Sequence, residues 1–487
     1  MDKTNIMLLP FWFNGNLNGK VLIVNQCGDF LFLTRDEFSQ IISCKLKQGS
    51  DLYYKLKSKH IVADDSDISL QIDLISNQLR TRKAYLNNFT TLHMIVVTCR
   101  CNFRCDYCHA SSSSLDYKNG DMNWSTAKAT VDKIFQSPSP VIKIEFQGGE
   151  PLLNWKIIKE IVEYAEIKNH FAKKRMDFVI CTNLILMTRE IAEFCRKHKI
   201  KISTSLDGVK EIQNAHRKMR DGGDGYDKFM SGLALARSIL GQDACSPLIT
   251  VTKSNLHRLR ETVDLYSSMG FDGMFIRALN PYGFATKCAN ELGYSLDEFV
   301  DAYKDALYYI IQKNLDGFFF VEQYAALLLQ RILTPFPTGF VDLQSPCGDV
   351  IEGAIYDYDG NVYASDEGRM LARTGDKRFC LGHVKKNTWQ EIFNGSSAHE
   401  IVKASCVETL SDCALCPYQL YCGSDPVRYY TECGDLHGYR PTSGFCKKNK
   451  AVIEHILSLL EKDDDDINDV FWSWLTHRSI REIRDDD

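Results

Sequence analysis

The stretch that decides the fold reads CNFRCDYC, from Cys101 to Cys108, and follows a short apolar run at residues 93–97. Three thiolates at a C-x3-C-x2-C spacing can each hold one iron of a cubane, which leaves the fourth iron without a ligand from this loop. An open coordination position is what catalytic metal sites keep. The spacing alone also allows a zinc loop, or two ligands beside a buried cysteine.

Outward from this loop, residues 90–300 alternate between apolar, strand-like runs and helical patterns. The strand-like runs are 93–97, 141–146, 178–182, 200–206, 248–252 and 274–279. The helical patterns include 125–135, 155–172, 191–198, 226–240 and 256–269. This alternation predicts an α/β domain with a parallel sheet and outer helices. Six units predict a partial (β/α)6 barrel, with its site at the C-terminal ends of the strands.

A second motif, QGGEP from Gln147 to Pro151, ends the second strand-like run. Two glycines let the backbone approach a ligand closely, and Glu150 can accept a hydrogen bond from an ammonium group. Alone, the motif is equally a simple turn. Together with the cysteine loop it resembles the radical S-adenosylmethionine (SAM) superfamily, over about residues 91–285.

The resemblance implies a mechanism and assigns residues to it. Cys101, Cys105 and Cys108, the loop cysteines, would bind a [4Fe–4S] cluster whose open iron chelates SAM. Cleavage of SAM would give a 5′-deoxyadenosyl radical that abstracts a substrate hydrogen. The SAM-binding positions would be Gln147, Gly148, Gly149, Glu150, Asn183, Ser205 and Arg217. The last three are equally interpreted as capping or turn residues.

Near the C-terminus, Cys413, Cys416 and Cys422 are closely spaced and Cys446 follows. These four, the auxiliary cysteines, suit a closed four-ligand metal site. A structural zinc ribbon is the alternative. Beside a radical SAM barrel the pattern resembles the SPASM extension, which implies an auxiliary [4Fe–4S] cluster.

That extension usually carries another auxiliary cluster, and here the sequence departs from it. Cys347 stands where its first ligand is expected, but Ser365 replaces the cysteine five residues after Gly360, and the thiol expected after Cys422 is missing. The cluster is therefore lost or built differently. Substitute ligands would be Cys380, Cys433 and Asp425. Cys347 and the two substitute cysteines are equally interpreted as buried thiols.

Asp366 follows Ser365 directly. In the sulfatase-maturating relatives an aspartate at this place supplies an active-site base, so the resemblance makes Asp366 a candidate catalytic residue. It could equally begin a turn.

Composition limits the alternatives. The 487 residues carry a formal charge of −5 and include 18 cysteines, and a near-neutral balance argues against a dedicated duplex-DNA binder. Neither a signal peptide nor a membrane-spanning run is evident, so we expect a cytoplasmic protein with reduced thiols. The predicted domains are a small α+β unit at 1–85, the barrel at 90–300, a helical connector at 301–345, a SPASM-like domain at 346–450, and a helix with an acidic tail at 451–487.

The SPASM resemblance implies a peptide or protein substrate, with an external reductant such as flavodoxin or ferredoxin. The N-terminal unit resembles a leader-binding (RRE-like) domain, which would add the leader peptide as a strand; a structural cap on the barrel is the alternative. Five stretches also resemble the radical SAM maturases of the His-Xaa-Ser peptide system: LLPF at 8–11, FLFL at 30–33, CHAS at 108–111, RALNPYGFA at 277–285 and DEGRML at 366–371.

The leading prediction is therefore an oxidoreductase that matures a ribosomally made peptide, most simply by a cyclophane-type carbon–carbon cross-link. The alternatives are an oxidising maturase that forms formylglycine from Ser or Cys, a peptide epimerase, and a non-catalytic Fe–S or zinc protein.

Overall fold

The computed structural model describes residues 6–280, 282 and 288–485. Pro281 and residues 283–287 lie outside the described residues, and they include Pro281 and 283–285 of the RALNPYGFA stretch. None of the helices described is long and apolar enough to cross a membrane.

The N-terminal region folds as strands followed by helices. Its elements are β1 Ile6–Leu8, β2 Phe11–Leu17, β3 Lys20–Asn25, β4 Phe30–Leu33, α1 Arg35–Ile42, α2 Asp51–Ser58, β5 Val62–Asp64 and α3 Ile68–Arg82. Strands β2, β3 and β4 form an antiparallel sheet in that order, and β1 pairs with β5. The region thus combines antiparallel strands with helices, as expected of an α+β unit. Thr34 caps α1 in a capping box with Glu37, which is why that helix begins there.

The central region carries all six predicted strands. Its elements are β6 Leu92–Thr98, β7 Phe103–Cys105, α4 Trp124–Ile134, β8 Val141–Gly148, α5 Trp155–Ala172, β9 Arg175–Cys181, α6 Arg189–Lys197, β10 Lys201–Ser205, α7 Lys210–His216, β11 Arg217–Met219, α8 Gly225–Leu240, β12 Cys245–Thr250, α9 Leu259–Ser268, β13 Gly273–Met274 and β14 Ile276–Arg277. Strands β6, β8, β9, β10, β12 and β14 are parallel neighbours in sequence order. The predicted partial barrel is confirmed.

The chain then adds further strands to the same sheet. The next elements are α10 Ala289–Leu292, α11 Leu296–Leu315, β15 Val321–Glu322, α12 Gln323–Leu333, β16 Gly353–Tyr356, β17 Asn361–Tyr363, α13 Asp366–Arg373, β18 Cys380–His383, α14 Trp389–Phe393 and α15 Ser396–Ala404. Strand β16 pairs in parallel with β6, and β17 and β18 follow it antiparallel. The barrel sheet is thus extended beyond β6 by a hairpin from the C-terminal half.

Four helices complete the described chain: α16 Pro426–Cys433, α17 Gly444–Leu460, α18 Asp465–Thr476 and α19 Ile480–Arg484. A run of four aspartates is more often a solvated turn or linker, but here the run is partly helical. Asp464 accepts from the backbone N–H of Ile467 and caps α18, whose first turn holds Asp465 and Asp466. Acidic side chains are favourable at a helix N-terminus, which explains the difference.

The chain forms two compact units, each assembled from separate stretches. The first contains residues 1–86, 325–347 and 404–487, and the second contains 87–324 and 348–403. The second unit holds the barrel, the loop cysteines and Asp366. The first holds the N-terminal sheet and the auxiliary cysteines. The sequential domain boundaries stay a prediction.

Candidate active site and auxiliary thiol site

The loop cysteines begin just beyond the carboxyl end of β6. Cys101 is buried, and its Sγ accepts from the backbone N–H of Phe103 at 3.3 Å. Burial raises the pKa of the Cys101 thiol well above its ordinary value, and the neighbouring Cys105 and Cys108 add to that rise. Burial likewise raises the pKa of Cys105 to about 12. Cys101 is buried and Cys105 and Cys108 are partly buried. Neighbouring thiols become thiolates most readily beside a cationic metal group, so this donor set fits a cluster.

Gly148 and Gly149 let the end of β8 lie directly against the backbone that leads to Cys101. A Cβ on Gly148, whose φ is +148°, would lie 2.1 Å from the Thr98 carbonyl oxygen, and one on Gly149 would lie 2.2 Å from that of Arg100. The Gly149 N–H donates to the Thr98 carbonyl at 2.9 Å. The two glycines therefore brace the cysteine loop, whatever ligand they also approach.

Glu150 is almost wholly buried, and its carboxylate joins the ends of two strands. It accepts from Leu152 N at 3.0 Å, from Thr182 Oγ1 at 2.6 Å and from Asn183 N at 2.8 Å. A carboxylate offers about four lone-pair sites, so three donors leave about one for a ligand. Burial raises the pKa of Glu150 to about 7, against these hydrogen bonds.

Asn183 meets the cysteine loop through Asn102. Its Nδ2 donates to Asn102 Oδ1 at 2.7 Å, and its Oδ1 accepts from Ile185 N at 3.2 Å. Asn102 Nδ2 is buried beside Cys101 with no partner in the described residues. A buried donor without a partner is costly, and a sulfur-rich group held by the loop cysteines would supply the acceptor.

Arg217 is held by Asp207, a residue to which the sequence assigned no role. Its Nε and Nη2 donate to the two oxygens of Asp207 at 2.8 and 3.1 Å, and its guanidinium lies 5.3 Å from the centre of the Tyr107 ring. The Tyr107 hydroxyl also donates to Asp207. In addition, Arg217 pairs with Cys105 in the β7–β11 ladder. This network fixes the cysteine loop, and the predicted SAM contact of Arg217 remains a prediction.

Strand β8 has one apolar and one polar face. Ile142, Ile144 and Phe146 are buried, whereas Glu145 and Gln147 alternate with them and are partly exposed. Gln147 Nε2 donates to Glu145 Oε1 at 2.7 Å. The period of two puts Glu145 and Gln147 on one face. The alternation could have revealed Glu145, which the sequence analysis missed. On β10, Ser205 is partly exposed, and its carbonyl accepts from Gln213 Nε2 at 3.2 Å.

Asp366 begins helix α13, and Ser365 caps it by accepting from Gly368 N at 3.2 Å. The serine that replaces the expected cysteine thus has a structural use. Burial raises the pKa of Asp366, while the guanidinium groups of Arg369 and Arg277 oppose that rise. Arg369 donates to Asp357 at 3.2 Å and to the Cys99 thiol at 3.4 Å, so it links α13 to the segment between β6 and the loop cysteines.

The auxiliary cysteines line one cavity in the first unit, together with Tyr429, Arg440 and Phe445 among others. Burial raises the pKa of Cys416 to about 11 and that of Cys422 to about 12, and neighbouring thiols of the set add to both rises. Arg440 Nε donates to Cys413 Sγ at 3.2 Å. Four thiols around one cavity, with a cationic donor at their edge, fit a cluster with four protein ligands.

Four further residues are candidate ligands for another auxiliary cluster: Cys347, Cys380, Cys433 and Asp425. Cys347 is buried, and its N–H donates to Ser405 Oγ at 3.1 Å. Cys433 lies at the end of α16, where its thiol donates to the Tyr429 carbonyl at 3.2 Å, while Cys380 belongs to the second compact unit. Asp425 caps α16, and burial raises its pKa to about 6. The ligand roles of these four residues stay predictions.

Within the part of the chain that the structure describes, no group of three or more His, Cys, Asp or Glu side chains is arranged to hold a single metal ion. In a cubane each thiolate binds a different iron, so its ligands lie farther apart than those of one ion.

Residues 95–266 match the sequence profile of the Radical SAM superfamily. An uncharacterised protein of Methanocaldococcus jannaschii is 32% identical over 190 residues, which are 39% of this chain and 63% of that protein. A cysteine-type anaerobic sulfatase-maturating enzyme of Clostridium perfringens is 24% identical over 368 residues, 73% of this chain and 93% of that enzyme.

Two solved structures share the fold. Native anSMEcpe with bound AdoMet and Cp18Cys peptide has a TM-score of 0.64 at 19% identity, over 77% of this chain and 99% of that one. Streptococcus suis SuiB bound to precursor peptide SuiA has a TM-score of 0.52 at 14% identity, over 90% of this chain and all of that one. Residues 95–266 therefore match a radical SAM domain, and the chain as a whole is similar in sequence and in fold to enzymes of the radical SAM class. Enzymes of this class use SAM and a [4Fe–4S] cluster.

Proposed function

We propose that the protein is a radical SAM peptide maturase whose loop cysteines hold the catalytic cluster and whose auxiliary cysteines hold a second cluster. The observation that carries this proposal is the pair of thiol sets: three crowded thiols at the carboxyl edge of the barrel sheet, and four thiols around one cavity. When bound, the catalytic cluster and SAM would supply a 5′-deoxyadenosyl radical that removes a hydrogen from the substrate. The protein's own residues would bind SAM and the substrate, orient them and remove a proton from the substrate.

The SAM-binding roles follow the strand ends. Glu150 keeps about one lone-pair site for the SAM ammonium, and Gly148 and Gly149 allow backbone approach at the same edge. The other assigned positions are Gln147, Asn183, Ser205 and Arg217. Closing a bond between two substrate groups removes two hydrogens. Asp366, which is partly buried and has a raised pKa, would take the second hydrogen as a proton. The electron that this hydrogen leaves behind would pass to the auxiliary cluster.

The substrate class is a ribosomally made precursor peptide. Two proteins of the same fold have been solved with a peptide bound, which supports this class. A side-chain cross-link of the cyclophane type, as in the His-Xaa-Ser maturases, is our leading chemistry. Formylglycine formation is the second candidate, and the sequence similarity to the sulfatase-maturating enzyme over 368 residues favours it.

The test is anaerobic reconstitution with iron, sulfide, SAM, a reductant and candidate precursor peptides, chosen from the small open reading frames that flank the gene. We expect 5′-deoxyadenosine, together with a peptide that has lost two hydrogens and resists fragmentation between two cross-linked residues. A modified Ser or Cys without a cross-link supports formylglycine formation instead. Protein that holds only zinc and makes no 5′-deoxyadenosine contradicts both.

The N-terminal unit would bind the leader peptide at the edge of β4. In the described residues β4 pairs only with β3, and a groove of about 450 Å³ follows it, lined by Phe30, Phe32, Lys55, Lys59 and Trp472 among others. An extended peptide would add a strand there, and lysines with aromatic rings suit a leader that alternates acidic and apolar residues.

Replacing Lys55 and Lys59 with Glu should weaken binding of a fluorescent leader peptide at least tenfold in an anisotropy titration, because the charges facing the leader are reversed. The matched control reverses two exposed lysines outside the groove, Lys45 and Lys47. An equal loss in both double variants would overturn the assignment of the groove.

A further inference from the structure

Arg440 is a buried cation whose charge is not matched by any carboxylate contact in the described residues. It is 6% exposed, and its Nε donates to Cys413 Sγ at 3.2 Å. Its Nη1 and Nη2 are both buried and have no hydrogen-bond partner in the described residues. A buried guanidinium with two unused donors is costly unless something accepts from it.

Arg440 lines the cavity that the auxiliary cysteines line. Its guanidinium lies 3.9 Å from the centre of the Tyr429 ring, a separation at which the ring face attracts a cation. Gly438 makes this possible, because a Cβ there would lie 2.6 Å from Tyr429 and its φ is +67°. The ring therefore fixes the plane of the guanidinium beside the cavity.

We propose that Arg440 donates through Nη1 and Nη2 to the sulfur atoms of the auxiliary cluster and raises its reduction potential. This inference rests on the proposed function, since it needs a cluster on the auxiliary cysteines. A cluster held by four thiolates becomes more negative when it is reduced, and a nearby buried positive charge stabilises that form. Hydrogen bonds to cluster sulfurs and local charge are established determinants of potential.

A second donor contacts a different cysteine of the set. Asn449 Nδ2 donates to Cys422 Sγ at 3.8 Å and is neutral. Arg440 thus differs from Asn449 in carrying charge, and differs from surface lysines in being desolvated. Desolvation makes its charge count for more, because screening by water is lost.

The test is a redox titration of the auxiliary cluster, followed by electron paramagnetic resonance of the full chain. The parent carries Cys105→Ala, which removes the catalytic cluster so that the auxiliary signal is seen alone. Arg440→Met should shift the reduction equilibrium about tenfold toward the oxidised form, a fall of about 59 mV for a one-electron couple. Arg440→Lys keeps the charge but loses the planar fork, so we expect a smaller fall. Lys447→Gln removes an exposed charge next to Cys446 and is the matched control.

A cluster that forms in the variants with an unchanged potential overturns the inference and leaves the proposed function standing. The same is true if Lys447→Gln lowers the potential as much as Arg440→Met does. If the Arg440→Met variant does not assemble a cluster, the Arg440→Lys variant decides instead, and an unchanged reduction potential in that variant overturns the inference. A parent that binds zinc in place of iron and sulfide contradicts the auxiliary cluster itself, and with it the role of Arg440.

Discussion

The loop cysteines and the auxiliary cysteines use one side chain in two different surroundings. The loop cysteines follow a strand of the barrel, and backbone approach at Gly148 and Gly149 and the Asp207–Arg217 pair hold their loop. The auxiliary cysteines come from turns and from the start of α17, and they enclose a cavity with Arg440 and Tyr429. Three thiols leave a cubane one iron for a substrate or cofactor, whereas four close it. The comparison teaches that the neighbours of a thiol, rather than the number of cysteines, indicate its role.

The largest expected effect concerns the loop cysteines, whose cluster would keep one iron open. Cys105→Ala should abolish 5′-deoxyadenosine formation, because the catalytic cluster loses one of its three ligands. The product is measured by chromatography after anaerobic reconstitution. Cys195→Ala is the control, since Cys195 is buried in α6 and lies outside both sets. Equal losses in the two variants would undo the sorting of the cysteines.

The Cys416→Ala variant tests the auxiliary cysteines, which would close their cluster with four ligands. Iron should fall from about eight to about four atoms per chain, at four irons for each cubane, while SAM cleavage continues and the yield of modified peptide falls. Iron and sulfide assays with a 5′-deoxyadenosine assay measure this. Iron that stays near eight would mean that Cys416 is not a ligand.

Replacing Asp366 tests whether this residue of the second compact unit is the base that deprotonates the substrate. Asp366→Asn should lower peptide modification at least about 100-fold, within the usual contribution of general acid–base catalysis, and leave SAM cleavage in place. Because burial raises the pKa of Asp366, modification by the unaltered enzyme should fall as pH is lowered through a value above the ordinary 3.8.

The control for this experiment is Asp359→Asn, in the exposed β16–β17 turn. It should leave both the yield and its pH profile unchanged. SAM cleavage lost together with modification would instead show that Asp366 supports the fold around the catalytic cluster.

The smallest expected effect concerns Glu150. Its pKa is about 7 in the folded protein, against an ordinary 4.5, so the folded state holds the proton more tightly. This stabilisation is full below about pH 4.5 and is lost as pH rises to about 7. Glu150→Gln should flatten that decline in urea unfolding midpoints measured anaerobically. Glu163→Gln, on an exposed part of α5, should not. A slope unchanged in Glu150→Gln would refute the raised pKa.

Much of the barrel was predictable because its strands are local apolar runs between helical patterns. Helix α3 was missed because it has no apolar stripe in contact with a core: its buried residues are Gln71 and Arg82. Strand β16 could be seen as one arm of a hairpin, but not as a parallel neighbour of β6, because that pairing joins residues about 260 positions apart.

The site divides in the same way. The cysteines proposed as cluster ligands and the glycine motif can be recognised from their spacing along the chain. The partners Asp207, Arg369 and Arg440 act across long separations, as the bond from Arg440 to Cys413, 27 residues away, shows. Such contacts leave no periodic signal in one sequence. Glu145 did leave one, since polar residues alternate with apolar ones along β8.

The first compact unit joins the two ends of the chain. Trp12 Nε1 donates to the Ala414 carbonyl at 2.8 Å, and the Tyr421 hydroxyl donates to the Gly28 carbonyl at 2.8 Å, so the N-terminal sheet holds the turns between the auxiliary cysteines. For protein engineering, residues 1–86 therefore cannot be exchanged as a separate module. A chimaera built to accept a foreign leader would have to transplant both termini together, and a truncation that removes the first 86 residues would unseat the auxiliary thiols as well.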